Sequence, residues 1–185
     1  MASRLNETPS DTKTKVLMWS EFMWRIQASE PDFIRLDTKL GEVPVVGMSR
    51  HFPPSEQRSV SDLFTVGRPW LRHQMSDIAF GSLMHVIQDS FSGGHTFRRT
   101  RTVVGCARSE IVNFHTYAGQ DKARHKVADG IERARDKGEL VEVLRVLLNM
   151  REQRKEWTAV AAYLSDCVFK LADDASPAST DVSEP

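Results

Sequence analysis

His85-Val86-Ile87-Gln88-Asp89-Ser90-Phe91-Ser92-Gly93-Gly94-His95 is the stretch from which the rest of the chain is read. His85 and Asp89 are four residues apart, so on a helix they project from one face a single turn apart, an imidazole and a carboxylate aimed at one point. Ser92-Gly93-Gly94 should end that helix. Glycine readily takes the left-handed conformation of a C-cap, and the chain can then swing His95 back toward the pair. Upstream, the helix extends to about Pro69, with the proline near its first turn, where a missing N–H costs nothing. Along it His73, Asp77, Gly81, His85 and Asp89 recur every fourth residue, each step advancing about 40° around the axis. Asp77, His85 and Asp89 therefore line one polar groove, while His73 drifts further round.

Working outward, the apolar residues Val16, Trp19, Phe22, Met23 and Ile26 fall at spacings of three and four and predict an amphipathic helix over 12–28. Residues 31–54, broken by Gly41, Pro44, Gly47, Pro53 and Pro54, read as an irregular connection. Ser55 is the expected N-cap of a short helix through Phe64. After His95, the segment 96–110 carries Arg98, Arg99, Arg101 and Arg108 around Thr102-Val103-Val104 and reads as a loop or short strand. A helix over 120–137 follows, on which Asp121, His125 and Asp129 again sit four apart. Two more, over 139–154 and 157–172, complete the set, with the Lys137-Gly138 turn suggesting antiparallel neighbours. The expected fold is an all-α, single-domain helical bundle over residues 13–172 with a metal cluster between its helices. The polar ends, 1–12 and 173–185, are expected to be flexible tails.

Composition narrows the function classes. Lys plus Arg (25) equals Asp plus Glu (25), so no global basic field draws the chain to nucleic acid, and any phosphate recognition must be local. Cys106 and Cys167 lack the paired spacing of a thiolate zinc site and are too few for a disulfide scaffold, so they read as ordinary buried thiols. No basic leader with a long apolar run is visible, and Val16-Leu17-Met18-Trp19 is interrupted at once by Ser20 and Glu21. The expectation is a cytoplasmic protein as written, with a non-standard export route left open, and no transmembrane segment.

A single histidine is more often a hydrogen-bonded core residue than a ligand. The joint pattern changes that weighting. Zinc takes imidazole nitrogen and carboxylate oxygen at about 2.0–2.2 Å, and bundle metalloproteins gather such donors from facing helices. His85, Asp89, His95, His125 and Asp129 would supply parts of two adjacent sites, and His115 would either join them or hydrogen-bond with Tyr117. Asp77 and Asp121 would lie on solvated faces or orient a ligand histidine through its other nitrogen.

The order His-x3-Asp-x5-His, followed by a helical His-x3-acid, resembles the zinc-dependent phospholipase C and single-strand nuclease superfamily. Its motif His-x-x-Gln-Asp-x-x-x-Pro-x-His is met here by His85, Gln88, Asp89 and His95, with Gly93 in place of the proline. The resemblance covers about residues 73–129. It implies an all-helical fold with a zinc cluster, Asp89 bridging two ions, and His95, His125 and Asp129 on the second. Two ions are implied rather than three, because the family's third site uses an N-terminal Trp and this chain begins Met1-Ala2-Ser3. His51, Asp62, His73 and Asp77 are the candidates for the family's upstream ligands.

The implied activity is hydrolysis of a phosphodiester, phospholipase C-like, by water activated at paired metals, with Asp89 and Asp77 as the catalytic carboxylates. Arg98, Arg99 and Arg101 would hold a phosphate oxygen, since guanidinium matches phosphate geometry; otherwise they are solvated or salt-bridged. The substrate would be a phosphate ester such as a phospholipid headgroup. A single-strand nuclease is the first alternative; Trp24, Phe52, Trp70 and Phe91 would serve either as its stacking platforms or as the apolar, membrane-facing rim of a phospholipase, and spacing does not decide between them. A non-enzymatic, metal-stabilised interaction domain with closed ligands is the second.

Overall fold

The computed structural model describes residues 3–29, 34–104, 106–116, 122–128 and 137–180, with backbone alone at 101–104, 107, 122, 124 and 125. It is mostly helical and carries one small antiparallel sheet, where the sequence leads to the expectation of a purely helical bundle. The chain divides into two compact units, Met18–Met84 and a second formed by Met1–Leu17 with His85–Pro185.

Helix α1 spans Pro9–Gln27. It starts earlier than the apolar periodicity because Thr8 Oγ1 accepts the Asp11 N–H at 3.1 Å and Pro9 opens the first turn. Helix α2 is Val60–Thr65, shorter and later than expected, and its cap is Ser59 rather than Ser55. The difference lies three residues on. Ser59 accepts from the Asp62 N–H while Asp62 accepts from the Ser59 N–H, a reciprocal capping box, whereas Ser55 is followed by Arg58, which has no acceptor to offer. Pro69–Gln74 winds as a 3-10 segment before the α-helix α3, Met75–Asp89. Apolar packing holds the Met18–Met84 unit together, with Phe22, Ile26, Leu40, Met48, Val60 and Met75 in its core.

The second unit is built around a hairpin. Strand β1, Thr96–Val104, pairs antiparallel with β2, Ala107–Phe114, in the register Thr96↔Phe114, Arg99↔Glu110 and Val104↔Ala107, with an irregularity between Phe97 and Arg98. The segment 96–110, read from sequence as a loop or short strand, is thus mostly strand. Residues 170–179 run along the other side of β2: Ile111 N–H donates to the Lys170 carbonyl, Ser176 N–H to Val112 and Ser179 N–H to Phe114. Asn6 and Glu7 are tied in turn to Ala178. The described parts of both expected tails are therefore held by backbone hydrogen bonds, which cover an otherwise open strand edge.

Helix α4 is Lys122–Ala128, the described part of the helix expected over 120–137. Helix α5, Lys137–Glu152, takes Lys137 and Gly138 into its first turn, so these residues form no interhelical turn. Helix α6, Trp157–Tyr163, runs into a π-helical turn, Leu164–Val168, and stops short of the expected end at 172. Cys106 and Cys167 are joined in a disulfide with a Cα–Cα distance of 5.1 Å. They are not the free buried thiols expected. The bond fastens the turn of the hairpin to the π-helical turn, 61 residues away in sequence.

Candidate functional site

The last turn of α3 carries His85 and Asp89, and the chain leaves it through successive tight turns. Ser92 N–H donates to the Asp89 carbonyl and His95 N–H to the Ser92 carbonyl, both at 3.0 Å, while Ser92 Oγ accepts the Gly94 N–H. Neither Gly93 nor Gly94 has the positive φ of the expected left-handed cap. The serine side chain makes the turn instead. Three side chains come together here. Asp89 Oδ1 lies 3.7 Å from Nε2 of His85 and 3.7 Å from Nε2 of His95. Exposure falls steeply across the three, from 73% for His85 through 13% for Asp89 to 2% for His95.

His115 follows β2 and sits beside His95, its backbone N–H donating to the His95 carbonyl at 2.8 Å. Its imidazole is buried, with Nδ1 3.0 Å from the Gly93 carbonyl. A carbonyl partner requires a proton on Nδ1, and in the neutral ring this leaves Nε2 with its lone pair, the tautomer that a metal-ligating histidine needs. Tyr117, the alternative partner for His115, lies outside the described residues.

Helix α4 reaches the same turn: Ser92 Oγ donates to the Ala128 carbonyl at 3.3 Å. His125 stands three residues before Ala128 on that helix, but its side chain is outside the described set, as are Asp121 and Asp129 altogether. Among the described residues, no group of three or more His, Cys, Asp or Glu side chains is arranged to hold a metal ion.

The arginines after His95 divide. Arg98, expected at the substrate, is buried inside the second unit. Its guanidinium donates to the Ser90 carbonyl and Oγ, to Ser109 Oγ and to the Val168 carbonyl, and it stacks 4.0 Å above the Phe91 ring. Those contacts remove it from any phosphate. Arg99 is exposed and makes a two-pronged pair with Asp174 at 2.7 and 2.9 Å. The Arg101 side chain is outside the described residues.

Behind Arg98 stands a buried carboxylate. Glu139 accepts the N–H groups of Arg108 and Ser109 and the Ser109 hydroxyl, the last at 2.7 Å. Ser109 Oγ accepts from Arg98 and donates to Glu139, so a single hydroxyl links buried cation and anion. Burial, and then the charges of Glu142 and Glu139, push the pKa of the Tyr163 phenol up to about 12. No spacing in the sequence flags this network, because Arg98, Ser109 and Glu139 come from three separate elements.

The upstream ligand candidates fall in the other unit. Asp77 is exposed in the first turn of α3. Asp62 is used in the α2 capping box, His51 packs against Trp19 with ring centroids 5.8 Å apart, and exposed His73 lines a cleft of about 660 Å³ with Arg35, Asp37 and Arg72. Trp24 and Phe91 are core residues, inaccessible as stacking platforms, whereas Trp70 is exposed. Among the described residues, no helix is long and apolar enough to cross a membrane.

Comparison of the chain with protein-family models, with curated proteins and with solved structures gave no match.

Proposed function

We propose that the chain is a metal-dependent phosphodiester hydrolase, phospholipase C-like, with its centre at His85, Asp89, His95 and His115 and with His125 and Asp129 as further donors. The observation that carries this reading is the pair of 3.7 Å separations from Asp89 Oδ1 to two imidazole Nε2 atoms. Donors at about 2.0–2.2 Å from a tetrahedral ion stand roughly 3.3–3.6 Å from one another, so each of these two pairs lies within a few tenths of an ångström of that spacing. The buried His115 tautomer supports the same fit.

Bound zinc would supply Lewis acidity, lowering the pKa of water and offsetting the charge that develops on the phosphate. The protein's own contribution is positional. Asp89 supplies the negative charge that favours a cation here, and the buried histidines fix the inner wall. The exposure of His85 leaves the outer side open, as a catalytic site requires and a closed structural site does not. Arg99 takes the phosphate-binding role among the described arginines, exchanging Asp174 for a phosphate oxygen of similar charge and geometry. The Cys106–Cys167 bond supports an oxidising compartment over the cytoplasm.

The test is metal analysis of full-length protein purified without chelator, followed by turnover of bis(4-nitrophenyl) phosphate, phosphatidylcholine vesicles and single-stranded DNA. Bound zinc with cleavage of the first two is expected, and His85→Ala and Asp89→Asn should each lower turnover about 100-fold or more, since even outer partners of a ligand are worth 10–100-fold. Preference for DNA would favour the nuclease, and bound metal without turnover the interaction domain. Absence of any bound metal would overturn the reading.

A further inference from the structure

We infer that Arg98 is a positioning residue, which sets the separation of Asp89 and His95 by binding the chain just after Asp89 to the strand that begins just after His95. Only the identity of what those side chains hold rests on the function proposed above. Ser90 immediately follows Asp89, and its carbonyl lies at the end of α3, where main-chain acceptors lack helical partners and the helix dipole is negative. Two groups meet that carbonyl. One is the Arg98 guanidinium, and the other is the hydroxyl of Thr96, the residue after His95, at 2.7 Å. The residue after Asp89 and the residue after His95 are thus bound to each other, and Arg98 closes the clamp through both the carbonyl and the hydroxyl of Ser90.

Arg98 is itself held from behind. Ser109 connects it to Glu139, and the Val168 carbonyl receives a further N–H beside Cys167, which is anchored to Cys106. A guanidinium can serve these acceptors at once because its N–H groups are fixed in a planar fork. A lysine, with one ammonium, reaches fewer of them.

The test compares full-length wild type with Arg98→Lys and Ser109→Ala, by amide hydrogen exchange and by Co(II) binding followed through its d–d absorption. In Arg98→Lys, exchange should rise about tenfold or more at residues 90–96 beyond any change in α5, and Co(II) affinity should fall about 10–100-fold with an altered spectrum. Ser109→Ala should shift both in the same direction by less, and it decides the matter if Arg98→Lys does not fold. Exchange that rises uniformly along the chain, or Co(II) affinity and spectrum unchanged in a folded variant, would overturn the inference. If wild type binds no Co(II), the proposed function fails separately, and local exchange alone then decides the role of Arg98.

Discussion

The Met18–Met84 unit and the hairpin unit are stabilised by different chemistry. The first buries Phe22, Leu40, Met48 and Val60 among one another, with Trp24 against Phe80 at 6.4 Å. The second has its own apolar residues, including Phe91, Ile111, Leu147 and Phe169, but it also buries Arg98 and Glu139 and closes a disulfide beside them. Apolar packing is non-directional and asks mainly for volume. A buried guanidinium asks for particular acceptors in particular places. The unit that carries the candidate site is thus the one whose geometry is most tightly specified, and the contrast is open to direct test.

The largest effect is expected from Arg98→Met. It preserves much of the apolar volume but takes a buried N–H donor from the Ser90 and Val168 carbonyls and from Ser109 Oγ, and leaves Glu139 without the cation linked to it through Ser109, which should cost about 3–5 kcal/mol in urea unfolding. A loss below about 1 kcal/mol would mean that the polar junction is no more demanding than the apolar core. Removing the disulfide as Cys106→Ser with Cys167→Ser should cost about 2–4 kcal/mol, because the bond closes a long loop and the unfolded chain regains that freedom. The measurement is the thermal midpoint of the variant against oxidised wild type, and equal midpoints would refute it. In the other unit, Leu40→Met conserves volume at a fully buried position and should cost less than about 1.5 kcal/mol by the same urea assay. A larger loss would show that shape is specified there as closely as polarity is around Arg98.

The contrast also explains what is legible in the sequence. Helices α1 and α5 and the pairing of His85 with Asp89 follow from periodicity, in which burial repeats every three or four residues. The hairpin is harder to read because Arg98 and Arg99 look alike in sequence, though one is buried and the other pairs with Asp174 at the surface. Charge suggests a solvated loop, and only the acceptors from Ser90, Ser109 and Val168 make a buried arginine tolerable. The disulfide has no local signal, since its partners are 61 residues apart. Residue type alone nominates His115 for the site. Its bond to Gly93, which sets the tautomer, depends on strand pairing that brings it beside His95.

The smallest effect concerns a polar contact near the surface of the hairpin unit, where the demand made on buried polar groups should weaken. Burial raises the Glu7 pKa, but hydrogen bonds from Lys15, Thr12 and the Arg4 N–H outweigh it, and the carboxyl is held below its ordinary value of 4.5. A depressed folded-state pKa adds stability that is present above the unfolded value and lost as pH falls through the folded one. Glu7→Gln should therefore be less stable than wild type at neutral pH, by about 1 kcal/mol at most for a partly exposed pair. The difference should shrink as the pH falls from 4.5 through the lowered folded-state value, where the wild-type carboxyl takes up its proton and its ion pair with Lys15 is lost. Urea unfolding of both proteins between about pH 3 and pH 7 measures it. A gap that stays constant across that range would mean that Glu7 acts through packing rather than charge, and that the rule separating buried from surface polar contacts does not hold at this position.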